Sequence, residues 1–378
     1  MTSRTIAFIS ALLIFTALAH SANAQSREAW SSEKANAWYR SQPWPVGSNF
    51  SPSTAINQLE MWQVETFDLP TIDKELGWAQ KLGFNSARVF LHDIPWRQDR
   101  DGFLNRIEAL LKTAEKHKIS IMFVLLDSVW DPNPKPGLQP APKQGLHNSG
   151  WVQSPGAEIL KNPKRHPEIE SYVKGIIGHF RHDERILAWD LINEPDNTNN
   201  SSYGKQEPPD KGALSFALLK KTFAWAREID PDQPITSGVW LGDWADGKLS
   251  PMNQFQLQES DIITFHNYNA LPELKARVAL LRRFDKPLLC TEYMARPMGS
   301  TFNPILAYLH DEKIAAYNWG FVAGKTNTIY PWDSWQKPYN AEPKIWFHDI
   351  FRTDGTPFDP KEVDDIKRVT AANPSPKK

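Results

Sequence analysis

Two glutamates in this chain stand where an apolar run stops. The segment Ile186-Leu-Ala-Trp-Asp-Leu-Ile-Asn-Glu-Pro195 puts Glu194 at the end of a stretch with strand character, and Pro195 ends the ladder because it has no amide to donate. The segment Pro287-Leu-Leu-Cys-Thr-Glu-Tyr293 puts Glu292 in the same position. Two carboxyls facing each other across a cleft can cleave a glycosidic bond: one protonates the leaving oxygen while the other attacks the anomeric carbon. Retention of configuration then requires them about 5 to 5.5 Å apart. Singly, a strand-end glutamate is often just solvated, and Asn-Glu-Pro is a string too short to mean much without context. The weight lies in the two together, and so in the elements that hold them.

Short runs rich in Val, Ile and aromatics alternate with segments of helical period, the pattern of βα units and a parallel sheet. Strands are expected near Val46–Phe50, Asn85–Leu91, Ser120–Asp127, Ile186–Asn193, Ile235–Trp240, Ile262–Tyr268, Leu288–Tyr293 and Ile314–Phe321, which makes eight. Amphipathic stretches at Thr71–Lys81, Leu104–His117, Pro167–Phe180, Leu214–Ile229, Glu273–Phe284 and Pro304–Asp311 read as an outer ring of helices, with a weaker one at Met252–Glu259. The expectation is an α/β fold, a (β/α)8 TIM barrel spanning 25–378 with long active-face loops. Low-complexity stretches at Asp131–Pro142 and Asp196–Asp210 follow expected strands three and four. In such a barrel the reacting groups sit at the carboxyl ends of strands, so these are active-face loops.

With Glu194 and Glu292 closing strands four and seven, the chain resembles the clan A retaining glycoside hydrolases, in layout the cellulase-type glycoside hydrolase family 5, over nearly all of 25–378. The resemblance implies Glu194 as acid/base, following Asn193, and Glu292 as nucleophile. It also implies an Arg near the end of strand two, a His-x-Tyr on strand six and a Trp closing strand eight, here Arg88, His266 with Tyr268, and Trp319. Each has a physical task. Arg88 beside Glu292 would favour the ionised carboxylate, its competing reading being a barrel-core ion pair with Asp190. His266 and Tyr268 share a strand face, so Tyr268 can orient Glu292 and His266 can meet sugar hydroxyls, unless His266 is a core histidine bonded to a carbonyl. Asn193 would bond the sugar 2-hydroxyl or cap the loop, and Trp319 would floor the site.

Trp130, Trp151, Trp240, Trp244, Trp332 and Trp335 lie on loops after strands three, five and eight, as stacking surfaces for several sugars or as packing for those loops. The chain departs from the family at the end of strand three, where Asp127 stands in place of an expected His. His92, on the same face as Arg88, is a candidate for part of that work. Cys290 reads as a buried, inert thiol.

Composition excludes other classes. The net charge of −1, with acids and bases interspersed, gives no footprint for nucleic acid or an anionic membrane. Sixteen Trp are a heavy investment in flat surfaces. A single Cys rules out an internal disulfide. Arg4, the apolar run Ile6–Ala19 and Ala22-Asn23-Ala24 read as a secretory signal peptide over 1–24. The expected protein is therefore a secreted or periplasmic monomer that acts on an oligo- or polysaccharide such as β-glucan, mannan or xylan. It needs no metal or other cofactor and has no membrane attachment after cleavage. The rivals are an exo-acting β-glycosidase on oligosaccharides, a catalytically silent glycan-binding barrel, and a metal-dependent hydrolase barrel, the last disfavoured by the lack of clustered His.

Overall fold

The computed structural model describes residues 27–371, so the expected signal peptide at 1–24 lies outside the described residues. The eight strands are β1 (Val46–Phe50), β2 (Ser86–Phe90), β3 (Ser120–Asp127), β4 (Ile186–Asn193), β5 (Ile235–Thr236), β6 (Ile263–His266), β7 (Leu288–Tyr293) and β8 (Ala315–Asn318). All pairings are parallel, in the order 5-4-3-2-1-8-7-6. The seam between β5 and β6 closes through one parallel bridge at Val239 and Phe265: the Val239 amide donates to Thr264 O and the His266 amide to Val239 O, each at 3.0 Å. This is a (β/α)8 barrel.

The strands are almost wholly buried because both faces are covered, by helices outside and by the packed lumen inside. A cluster that includes Met122, Ala188, Leu289 and Tyr317 is distinct from the outer core, and Ser86 Oγ meets Tyr317 Oη at 2.8 Å. Arg88 follows Ser86 by two and so shares its face. The lumen thus turns from apolar to polar along β2, toward the carboxyl end where the site lies. Helix Ser32–Ser41, absent from the sequence reading, packs Trp38 and Tyr39 against the lumen cluster.

The outer helices start and stop close to where periodicity puts them. In His166–Phe180 the buried positions Ile169, Tyr172, Val173, Ile176, Ile177 and Phe180 form one stripe at helical spacing. Four strands are shorter than expected, β2 by one residue at each end. β5 forms ladder only over Ile235–Thr236, because side chains take the backbone groups that would continue it. The Ser237 amide donates to Ser260 Oγ at 3.2 Å, and the Gly238 carbonyl accepts from Gln256 Nε2 at 2.7 Å. β6 stops at His266, after a register shift between Phe265 and His266. β8 stops at Asn318, whose amide turns back to Gly320 O at 2.5 Å.

One close approach fixes the β1–β2 register. A Cβ on Gly47 would sit 1.7 Å from the Ser86 carbonyl oxygen, and a carbonyl in a barrel wall has nowhere to retreat. Gly47→Ala is expected to destabilise the fold by about 3 kcal/mol, the upper end for overpacking a core. Urea unfolding should show a lowered midpoint with an unchanged slope.

Candidate active site

Arg88 is the centre of the site. Its guanidinium is wholly buried and carries five hydrogen bonds. Nη2 and Nε donate to Asp190 Oδ2 at 2.7 and 3.1 Å, and Nη1 donates to Glu292 Oε1 at 2.8 Å. Asn49 Oδ1 and Asn193 Oδ1 take the other two, at 2.8 and 2.7 Å. Both readings of Arg88 therefore hold: it is a barrel-core ion pair with Asp190 and the partner of Glu292. Its carboxylates raise its pKa further, so it stays charged.

Glu194 and Glu292 meet across the carboxyl end of the barrel. An oxygen of each, together with a ring nitrogen of His266, lies within 4.8 Å of the others. That spacing is close to the separation needed for direct attack and below the one inverting enzymes use. Their surroundings differ. Glu292 Oε1 has Arg88, and Oε2 accepts from Tyr268 Oη at 2.6 Å. Glu194 Oε1 meets His266 Nδ1, and Oε2 accepts from Asn197 Nδ2, both at 2.7 Å.

Burial pushes Glu194 up to about 7, helped by the Asp196 charge and opposed by the Asn197 amide. Burial also raises Glu292, against the pull of His266, Arg88 and Tyr268. Of the pair, Glu292 alone has a cation in direct contact, so the shared proton resides on Glu194. Burial lowers His266 to about 4, which leaves it neutral. With Nδ1 on Glu194 and Nε2 at 3.6 Å from Glu292 Oε1, one tautomer turns no lone pair toward a carboxylate. In it, Nε2 carries the hydrogen and the Glu194 carboxyl donates to Nδ1. The competing reading of His266, a core histidine on a backbone carbonyl, is overturned by these contacts.

Backbone conformation aims both carboxyls. Glu194 itself is left-handed at φ +42°, and so is Met294 at +87°, two residues past Glu292. Non-glycine residues take this region at a cost and are held there by surrounding structure. The strand ends thus turn sharply where the carboxyls emerge.

Glu194, His266 and Glu292 are also a trio that could ligate a metal. Each carboxylate oxygen already has a partner, and the Arg88 guanidinium contacts Glu292, so a divalent cation would have to displace hydrogen bonds beside a fixed positive charge. The donor set fits a cation poorly.

Asn193 bridges the site: its Oδ1 accepts from Arg88 and its Nδ2 donates to Asp127 Oδ1 at 3.0 Å. It is not a mere loop cap. His92 is a correction. It is fully buried, its Nδ1 accepts from the Ile94 amide at 3.1 Å to cap helix Asp93–Gln98, and it does not line the cleft. Strand alternation put it on the face of Arg88, but the chain has left the strand by then. Cys290 is buried, and burial raises its thiol pKa well above the usual range.

The cleft above the carboxyls encloses about 680 Å³. Trp319 lines it, as do Trp130, Trp151, Trp240 and Trp332. Trp240 Nε1 donates to Asp196 Oδ1 at 2.6 Å, and Trp332 meets the Tyr268 ring edge-on at 5.0 Å. Trp244 and Trp335 are corrections to the expected set of stacking surfaces. Trp244 is fully buried beneath the Arg277 guanidinium, and Trp335 stacks on Trp130 at 5.5 Å without reaching the cleft.

Sequence reading missed Asn197, which holds Glu194, and the polar knot that ties the loop after β3 to the loop after β4. Glu207 Oε1 accepts from Lys211 Nζ, Gln153 Nε2 and Asn199 Nδ2, each at 2.6 Å, and Lys211 Nζ also donates to Ser128 O at 2.7 Å. Asn199 Oδ1 in turn takes the Trp130 amide at 2.8 Å. The one available signal was Glu207–Lys211 at i, i+4.

Comparison with known proteins gives the same architecture. No known family profile matches the chain. A β-1,4-xylanase from Dictyoglomus thermophilum is 32% identical over 92 residues, 24% of this chain and 24% of that protein. A mannan endo-1,4-β-mannosidase F from Aspergillus clavatus is 25% identical over 138 residues, 36% of this chain and 26% of that protein. The chain thus spans about a quarter of the length of the curated relatives it matches. Among solved structures, an exo-β-1,4-mannosidase from Opitutaceae bacterium strain TAV5 superimposes with TM-score 0.57 at 20% identity, over 87% of this chain and 59% of that one. A glycoside hydrolase family 5 mannosidase from Rhizomucor miehei gives 0.50 at 14%, over 87% and 92%. The chain has a family 5-like barrel fold. In that barrel, the site occupies the carboxyl ends of β2, β3, β4, β6, β7 and β8.

Lys211 is the testable member of the knot. Lys211→Ala leaves Glu207 buried without its cation, at a cost of about 3 to 5 kcal/mol. The loops at 128–153 and 196–207 should loosen first, seen as faster amide exchange there than in β3 and β4.

Proposed function

We propose that the protein is an exported, monomeric retaining β-glycosidase, with 25–378 as its catalytic domain, that hydrolyses a β-1,4-linked glycan by double displacement. The observation that carries the reading is the carboxyl pair itself: two buried glutamates with oxygens within 4.8 Å, one bonded to a guanidinium and the other only to neutral partners. Glu292 is the nucleophile, kept ionised by Arg88 and aimed by Tyr268. Glu194 is the acid that protonates the departing oxygen and then the base that activates water. Asn193 has a second amide N–H free for the sugar 2-hydroxyl, a contact that strengthens in the transition state. Trp319 is the floor on which the reacting sugar stacks. A purely binding barrel has no use for two carboxyls with divided protonation, which is costly to bury.

The names of the relatives make mannan the first substrate to try and xylan the second. A panel of aryl β-glycosides with mannan, xylan and β-glucan identifies the sugar, and product lengths separate endo from exo action. Glu292→Ala should lose at least about 10⁴-fold in kcat, as a lost nucleophile does. Glu194→Ala should be restored on activated aryl glycosides by azide, with a β-glycosyl azide as product. Lack of turnover on every glycan by wild type, alongside glycan binding, would replace this reading by the binding-barrel one. N-terminal sequencing of the exported protein tests the cut after Ala24.

The pH profile follows from the pair. Glu194 must be protonated to act as acid, and its pKa is raised from 4.5 to about 7, so kcat/KM is expected to fall as pH rises through about 7. The acid limb belongs to protonation of Glu292. Glu194→Gln should remove the alkaline limb for substrates whose leaving group needs no proton. Because the donor set fits a cation poorly, dialysis against EDTA should leave activity within about twofold; a larger loss reversed by a divalent ion would contradict the assignment.

A further inference from the structure

Asp127 has no part in the reaction as drawn above, yet it is where the chain departs from the resemblance. At the end of β3 it is 1% exposed and takes four N–H donors from four separate segments. Oδ1 accepts from Asn193 Nδ2 at 3.0 Å and the Val129 amide at 3.1 Å. Oδ2 accepts from Trp151 Nε1 at 2.7 Å and Gln58 Nε2 at 3.1 Å. Four donors fill a carboxylate, so Asp127 has no lone pair to offer a ligand even though it borders the cleft. A histidine here could not replace it, since at most one ring nitrogen accepts.

What Asp127 holds is informative. The Asn193 amide has Arg88 on its oxygen and Asp127 on its nitrogen. Flipped by 180°, it would set its NH2 against the guanidinium and its oxygen against the carboxylate, so one orientation survives, and its second N–H is left over at the cleft. On the other side, the Trp151 indole is pinned so that its ring meets Trp319 at 5.8 Å and 70°. We infer that Asp127 is a positioning residue that sets, through its carboxylate, the orientation of Asn193 and so that residue's contact with the sugar 2-hydroxyl. Burial raises Asp127 to about 6, and it is ionised at neutral pH, as four N–H donors require.

The inference rests on the glycosidase reading, and the experiment separates the two. Asp127→Asn keeps the shape but turns an NH2 toward two of the four donors. The substrate pair is the aryl β-glycoside that wild type cleaves best and its 2-deoxy analogue, with Asn193→Ala and the double variant alongside. With circular dichroism unchanged, D127N should lose about 10²-fold in kcat on the parent glycoside, as displaced reacting groups do. On the 2-deoxy analogue it should lose less than about fivefold, and the double variant should be no worse than Asn193→Ala. Where D127N does not fold, Asp127→Ala, which admits water to meet the donors, should show the same contrast. Parent activity within about threefold of wild type, equal losses on both substrates, or losses that multiply with Asn193→Ala would each overturn the inference. Tryptophan fluorescence titration with the same pair reads the contrast without turnover. A wild type that binds but does not cleave therefore removes the glycosidase reading and leaves Asp127 tested, and a wild type that neither binds nor cleaves removes both.

Discussion

A guanidinium with no solvent contact must be neutralised where it stands, and most of the site follows from that requirement. Arg88 rises from β2 into the lumen and is met by Asp190 from β4 and Glu292 from β7, with Asn49 and Asn193 completing its donors. A buried charge left without partners costs several kcal/mol, so the strands that supply these groups are held in one relative register by electrostatics as well as by ladder hydrogen bonds. The same bonds that stabilise the lumen place the Glu292 carboxylate.

The second consequence is asymmetry. Two carboxyls brought together in a buried site cannot both ionise freely, and a symmetric pair would share its proton without assigning it. Here the cation is on one side only. Tyr268 adds a hydrogen bond to Glu292, while Glu194 faces neutral His266 and the Asn197 amide. His266 lies between the two and, being neutral, relays no net charge. The difference in charge environment is thus a property of the surroundings of two chemically identical groups.

The walls of the site come from loops with little pattern of their own. The stretches after β3 and β4 are rich in Pro, Asn and Ser, and their order derives from buried polar ties: Glu207 with Lys211, Gln153 and Asn199, and Asp127 with Trp151 and Gln58. These ties fix Trp130 and Trp151, and with them two of the five tryptophans that line the cleft. A barrel supplies rigid strand ends, and here the loops acquire rigidity by the same means as a core, through satisfied polar groups out of water.

The sequence by itself determined the barrel and the pair of acids. Alternation of apolar runs with amphipathic stretches is a local signal, and Glu194 and Glu292 stand at the ends of such runs. The bounds of β1, β3, β4 and β7 coincide with those read from residues alone. It failed where side-chain partners took over from the regular pattern of a strand or loop. β5 ends early because Ser260 and Gln256 take its backbone groups, His92 caps a helix instead of facing the cleft, and Trp244 sinks under Arg277. Only the tertiary structure decided which acid keeps the proton, that Asn193 is held at both ends, and that Asp127 is filled by four donors. Each of these depends on contacts between residues far apart in the chain, such as the 66 positions between Asp127 and Asn193 and the 204 between Arg88 and Glu292, and no local pattern records them.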